Sequence, residues 1–317
     1  MQPVYPHRWL WHALTILVLV GIGASLYAAS KKVDYEWRWS RLPQYLVQTG
    51  GEDVLAPFDG EVSIGADGKT ISLKPLLGAG KAATFPQIDV PGVSDGEVVF
   101  QNNALGKKAG ISPGPLAIGL WITLKISALS LVFALLLGLV AGLGRVSHNP
   151  TARDLAAVYV EVIRGTPLLV QIFIFYFFLG TVLSLSAFTA GVAALAVFTG
   201  AYVAEIVRAG IQAVPRGQME AARSLGMSVP GAMRYVVLPQ ALKKTLPPLA
   251  GQFINLIKDS SLVSVMALTD LTKAGREVVS STFSPFEVWF TVALMYLLLT
   301  GSLSWLVRRL ELRMAHD

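Results

Sequence analysis

The 317-residue chain contains no cysteine, which excludes disulfides, zinc-thiolate sites and thiol catalysis together. Histidine is nearly absent. His7, His12, His148 and His316 lie scattered at the edges of apolar runs or near the ends of the chain and read as interfacial residues. Charge is also thin over most of the length. Residues 30–113 hold 10 acids and 9 bases, whereas the other 233 residues hold only 10 acids and 17 bases. That larger part is too apolar for a soluble protein and reads as membrane. Its basic residues stand at the ends of apolar runs and form no single stripe, so no nucleic-acid partner is implied.

What the chain does have is long uncharged runs, and a spanning helix needs about 20 residues. Residues 9–30 form the first; the small residues in the stretch Tyr27-Ala28-Ala29-Ser30 leave a cleaved signal peptide as the alternative. Residues 126–143 form the second, with Lys125 snorkelling at its outer end and Arg145 past its inner end. Residues 165–204 carry no charge over 40 positions, two crossings' worth. A fold-back at Ser184, Leu185 and Ser186 is predicted there, making spans three and four a tight hairpin. Residues 247–266, interrupted by Lys258 and Asp259, form the fifth, and residues 288–307, closed by Arg308 and Arg309, the sixth. Six spans place both termini on one side.

Orientation follows from the short loops. One side collects Arg145, Arg153, Arg208, Arg216, Arg223, Arg234, Lys243 and Lys244 together with the bases at both termini, and the other only Lys273 and Arg276. The first side is therefore cytoplasmic. Residues 30–113 are exported, which long loops tolerate whatever their charge. In this insert Val62 and Ile64 alternate with polar neighbours, Asp67 and Gly68 signal a turn, and Ile71 and Leu73 resume the alternation, predicting a hairpin. Pro86, Pro91, Pro113 and Pro115 mark the rest as irregular. About 80 residues without a disulfide predict marginal independent stability, so the insert should lean on the membrane part or a partner. Gly68, Lys69 and Thr70 look like the end of a phosphate loop, but Ser63 stands where its first glycine is required. With no nucleotide site, catalytic triad or metal cluster, the chain is no enzyme and carries no cofactor of its own.

The cytoplasmic segment 211–244 is too long for a turn. Pro215, Arg216 and Gly217 lead into strong helix formers over 218–225, and Gly226 can take a positive φ and stop the helix. This short helix is predicted to present Ala221, Ala222 and Leu225, flanked by Glu220 and Arg223. Its apolar face is too small to hold lipid strongly, so a docking surface fits better than a membrane-surface helix.

Glu220, Ala221 and Ala222, then Gly226, then Leu238 and Pro239 follow a known loop pattern: E-A-A, three residues, G, nine residues, I, any residue, L-P. Val236 stands in place of the usual Ile. Further matching stretches are Thr123, Leu124 and Lys125; residues 164–168; Ala204, Glu205 and Ile206; residues 258–262; and Pro285, Phe286 and Glu287. Over residues 114–313 the chain thus resembles the inner-membrane permease subunits of bacterial ABC importers for polar amino acids, of the histidine, glutamine, arginine and glutamate type. The resemblance implies an all-α polytopic membrane protein with a MetI-like core of five spans. An N-terminal transmembrane helix (1–29) and a partly β periplasmic insert (30–113) are additions to that core. It further implies a second permease copy or a related permease, ATP-binding cassette subunits that hold ATP and magnesium, a periplasmic amino-acid-binding protein and surrounding membrane lipid. Glu220, Ala221, Ala222, Gly226, Leu238 and Pro239 would couple to the ATPase.

Charges within spans are the natural solute contacts, because each costs about 2.5–3.5 kcal/mol at mid-membrane. An amino-acid zwitterion needs a cation for its carboxylate and a carboxylate or carbonyls for its ammonium. Lys258, Asp259, Ser260 and Ser261 are the first candidates, followed by Glu205, Tyr202 and Gln171. The structural alternative is that Glu205 pairs with Arg208, and Glu161 with Arg164, each three apart on a helix. Gly138, Gly142 and Gly144 read as helix-packing positions. An ion-coupled secondary transporter of zwitterionic solutes is the competing function, but it should show an inverted repeat. A membrane-anchored sensor would leave five spans without a purpose.

Overall fold

The computed structural model describes residues 8–32, 35–48, 52–76, 82–266 and 268–314 and divides into two units, residues 1–40 and 41–317. His7 and His316 lie outside the described residues. In the first unit the apolar run forms α1 (Arg8–Lys32), closed by Lys31 and Lys32. Its 25 residues reach about 37 Å at 1.5 Å each, enough to cross the hydrocarbon core. Beyond it Trp37 stacks on Trp39 at 5.5 Å and meets Tyr35 edge-on at 5.3 Å. Rings with an apolar body and a polar tip favour the membrane–water boundary.

The second unit opens with α2 (Pro43–Leu46) and the insert. Its strands are β1 (Val47–Gln48), β2 (Glu52–Leu55), β3 (Gly60–Ile64), β4 (Ile71–Pro75), β5 (Ala83–Phe85), β6 (Val90–Pro91), β7 (Val98–Val99), β8 (Ala104–Lys108) and β9 (Ser112–Pro113). They pair antiparallel in the orders β5-β4-β3-β7, β2-β8-β6 and β1-β9. The expected hairpin is β3–β4, with Ile64 opposite Ile71 and Val62 opposite Leu73, and Gly68 at its turn has φ +66°. Ala56, Val62, Ile71, Leu73, Ile88, Val99 and Leu105 are fully buried in one core. The prolines do not mark irregular chain throughout: Pro91 lies in β6 and Pro113 in β9. Both strands are edges, where a missing N–H removes no ladder bond.

Two aspartates brace the insert. The Asp67 carboxylate accepts the Thr70 hydroxyl at 2.6 Å and the Thr70 and Lys69 amides at 3.0 and 3.2 Å. Those bonds hold its carboxyl below the ordinary aspartate value, the Thr70 hydroxyl contributing most. Asp89 accepts the Ala109 amide at 2.7 Å and the Lys69 ammonium at 3.2 Å, and it is lowered in the same sense, first by the amide.

The two ends of the insert meet at a neck. Val47 pairs with Pro113 and Gln48 with Ser112, and the Gly114 N–H donates to the Leu46 carbonyl at 2.9 Å. A Cβ on Gly114 would lie 2.3 Å from the Tyr45 carbonyl oxygen, so only glycine fits. Leu42, Tyr45 and Leu46 pack against a buried cluster of Leu116, Leu271, Ala274, Val278, Val288 and Val292. The insert thus has its own core and is seated on the helices through its neck.

The remaining helices are α3 (Pro115–Arg145), α4 (Pro150–Arg164), α5 (Leu168–Phe173), a π-helical stretch Ile174–Leu179, α6 (Gly180–Val182), α7 (Ala187–Gln212), α8 (Arg216–Ser224), α9 (Val229–Ala232), a π-helical turn Met233–Val237, α10 (Leu238–Asp259), a 3₁₀ segment Ser260–Val265, α11 (Leu271–Thr282) and α12 (Pro285–Met314). Among the described residues α1, α3, α7 and α12 are each long and apolar enough to cross a membrane, and α4 with Leu168–Gly180, bent by 102°, makes a further candidate. The predicted hairpin break falls where expected, with Ser184 at φ +52° and Ser186 capping α7.

Three boundaries differ from the sequence reading. α3 starts at Pro115 and not at residue 126, so Lys125 lies well inside the helix, exposed, and not at its end. Span three is not a straight helix from residue 165, because α4 turns sharply into α5 at Gly165, Thr166 and Pro167. α10 begins at Leu238, before the predicted span at 247, carries Pro247 and Pro248 inside it, and by length and composition is not among the candidate spans. In the first and third cases helix geometry continues past the apolar run that marks the membrane, and in the second it breaks inside that run. α3 and α7 are pressed together at glycines: a Cβ on Gly138 would lie 2.4 Å from Val203, and one on Gly142 2.7 Å from Val207.

Candidate coupling and solute-path sites

α8 is short and sharply ended. The Met227 N–H donates to the Ala222 carbonyl at 3.2 Å and the Gly226 N–H to the Arg223 carbonyl at 3.0 Å, the paired bonds of a Schellman stop. Gly226 sits at φ +83°, a left-handed conformation in which any Cβ is strained. The Arg223 guanidinium reaches past the turn to the Met227 carbonyl at 3.0 Å. Glu220 and Ala221 are exposed, and Leu225 is 85% exposed. Ala222 is a correction: at 4% exposure it faces inward and is not presented. α8 must bury one side to be held, and that side packs on the π-helical turn Met233–Val237.

The same segment is tied to the membrane helices. The Gln240 side-chain amide on α10 donates to Gln218 on α8 at 3.1 Å, and the Lys244 ammonium donates to the Ala213 carbonyl after α7. Val203, Val207, Ile211, Val214, Val237 and Ala241 form one buried cluster beneath. Leu238 and Pro239 open α10, where proline's missing N–H is no loss. They also line an apolar cavity of about 470 Å³ with residues of α3 and α7. Hydrogen bonds and packed side chains thus join α8 to α10, and α10 to the end of α7.

The proposed solute contacts fall into separate groups. Glu205 accepts the Arg208 guanidinium through two nitrogens, one bond at 3.0 Å, and Arg145 lies 4.0 Å from the same carboxylate. Glu161 does not pair with Arg164: Arg145 takes it at 3.7 Å, and Arg164 instead lies over the Tyr202 ring at 5.1 Å. The bend after α4 turns Arg164 towards α7 and leaves Glu161 facing α3. Gln171, 4% exposed, spends its amide on the bend itself, donating to the Ile163 carbonyl at 2.7 Å and the Thr166 hydroxyl at 2.8 Å. Its carbonyl oxygen is buried without a hydrogen-bond partner among the described residues.

Lys258 is exposed and Asp259 half-buried at the end of α10. Ser260 is buried with its hydroxyl on the Ile257 carbonyl at 2.8 Å, and Ser261 is half-buried. The sequence reading missed Asp270, which is 0% exposed and caps α11 by accepting the Lys273 and Thr272 amides at 3.0 and 3.1 Å. An aspartate just before a helix-period run is the signal that would have found it. Among the described residues no group of three His, Cys, Asp or Glu is placed to hold a metal ion.

Residues 134–316 match the family of binding-protein-dependent transport system inner membrane components. The glutamine transport system permease protein GlnP of Escherichia coli strain K12 is 43% identical over 199 residues, covering 62% of this chain and 91% of that protein. A solved amino acid ABC transporter with histidines superposes with a TM-score of 0.60 at 45% identity, over 63% of this chain and 94% of that one. An inward-facing MetNI methionine transporter, at 21% identity and a TM-score of 0.57, shares the fold.

Proposed function

The chain belongs to the binding-protein-dependent transport system inner membrane components, and from that membership we propose that it carries a polar amino acid of the glutamine type into the cell. It is a multi-pass inner-membrane permease subunit and not an enzyme, and the family implies an ATPase in a separate subunit and a solute-binding protein. The observation that carries the amino-acid assignment is the identity with a glutamine permease across 91% of that protein's length.

In this reading both termini are cytoplasmic, residues 114–313 form the translocating core, and two such cores, identical or related, line the pore. Glu220, Ala221 and Gly226 present α8 to a cleft of the ATPase, while Ala222, Leu238 and Pro239 hold it to the core. ATP closes the ATPase pair, α8 moves with it, and the rigid helices re-orient from inward to outward access. Lys258, Asp259 and Ser261, with Glu205 and Tyr202 nearer the cytoplasm, are the groups offered to the solute. Ser260 and Gln171 shape the backbone around them.

The test is co-purification of the detergent-solubilised chain from its native membrane, wild type against Gly226→Asp, with companions identified by mass. An ATPase should accompany the wild type and be lost from a variant that keeps its melting temperature. A wild-type preparation that retains other membrane complexes yet contains no ATPase would sink the importer reading.

A further inference from the structure

α11 has two unlike faces. Leu271, Ala274 and Val278 are buried in the cluster on which the insert's neck is seated. The opposite face opens on a cavity of about 620 Å³ lined by Lys273, Arg276, Glu277, Ser280 and Ser281, with Ser264 and Met266 across it. The cavity is a groove open to solvent, with Arg276, Glu277, Ser280 and Ser281 exposed along it. It stands on the side that the loop charges make external, beyond Lys258 and Asp259 along the chain.

Its chemistry divides into donors and acceptors. The Arg276 guanidinium has five N–H donors and commits one nitrogen to the Ser264 carbonyl at 2.9 Å. Among the described residues no carboxylate lies within ion-pair distance of it. Lys273 is held loosely by Glu277, at 3.7 Å. The Ser280 and Ser281 hydroxyls donate into their own helix, to the Arg276 and Val278 carbonyls at 2.9 and 3.0 Å. Their oxygen lone pairs, with the Glu277 carboxylate, are thereby left as acceptors.

We propose that this cavity is an outer acceptance site for the zwitterionic backbone of a free amino acid. Arg276 and Lys273 take the α-carboxylate, and Glu277, Ser280 and Ser281 take the α-ammonium. The proposal rests on the amino-acid reading above and adds to it a site that binds the backbone common to all amino acids, leaving choice of side chain to other residues. Because Arg276 also holds Ser264, an arriving carboxylate acts directly on the 3₁₀ segment that ends the α10 path.

The test uses the whole permease–ATPase complex in detergent, without the solute-binding protein, and measures equilibrium binding of radiolabelled L-glutamine. Unlabelled glycine, which is the bare zwitterion, should compete, and glycinamide, which lacks the carboxylate, should not. Arg276→Gln and Glu277→Gln should each weaken binding about tenfold or more, the scale of one hydrogen bond to a charged group. Arg276→Lys should restore most of the loss, and melting temperatures matching wild type identify the folded variants. Two results overturn the proposal: no saturable glutamine binding by the wild-type complex, or unchanged affinity in folded Arg276→Gln and Glu277→Gln. Neither touches the importer reading, which fails only if the complex contains no ATPase.

Discussion

Single glycines decide two of the tightest features, for opposite reasons. Gly226 has nothing within 4 Å of where a Cβ would stand, but its φ is +83°. Gly226→Ala therefore meets backbone strain alone, about 1–2 kcal/mol. It should speed hydrogen exchange at the Gly226 and Met227 amides and weaken ATPase co-purification while leaving the melting temperature of the core in place. Gly138 has an ordinary helical backbone but no room, with Val203 carbons at 2.4 Å and the Gly200 carbonyl at 2.8 Å from the added atom. Gly138→Ala should force α3 from α7 and cost about 1–3 kcal/mol, the usual range for overpacking, read as a lower melting temperature in detergent. Gly251→Ala, in α10 with nothing within 4 Å, is the control. It should leave the melting temperature unchanged or raise it slightly.

At the scale of elements the insert behaves as a small β domain whose stability comes from its centre. Ile71 and Leu73 on β4 are fully buried, so Leu73→Ala should cost about 2–5 kcal/mol. Limited proteolysis should then cut within residues 52–108 while the membrane helices stay intact. Acid should act on the same region. Asp67 and Asp89 have carboxyls lowered from 3.8 by the bonds they accept. Their contribution is present above the unfolded value and is lost as pH falls through the lower folded one. Hydrogen exchange in β3 and β4 should rise below about pH 4, and Asp67→Asn should flatten that rise. Stability of these strands that is indifferent to acid would remove the assigned role of both aspartates.

For the whole molecule, the neck makes the insert separable in principle and connected in practice. Val47 faces Pro113 across β1–β9, so residues 49–111 can be replaced by a short turn without opening the base. The shortened protein should keep its melting behaviour and its ATPase, because Leu42, Tyr45 and Leu46 still seat on α11 and α12. Replacing Tyr45 and Leu46 with alanine in the full-length chain should do the reverse, lowering the melting temperature with the insert present. If excision alone unfolds the core, the neck is no self-sufficient seat. If the excised form stays folded, its ATP-dependent uptake in proteoliposomes separates a structural role for the insert from a transport role.

The apolar centres of α1, α3, α7 and α12, the β3–β4 hairpin, the break before α7 and the stop at Gly226 could be read from the chain. Each depends on a few neighbouring residues: an uncharged run, a period of two, a Gly or Ser at a turn. The short helix of the loop after α7 was legible for the same reason. Tertiary structure alone decided which way Ala222 faces, that Glu161 turns to Arg145 while Arg164 covers Tyr202, and that Gln171 locks the bend after α4. It also decided that Asp270 is buried and that the insert closes a core. These outcomes depend on groups far apart in sequence, as where Thr123 on α3 accepts the Leu271 amide 148 positions away. Local rules specify backbone conformation within a few residues, whereas burial and ion pairing are settled by whatever distant surface packing brings alongside.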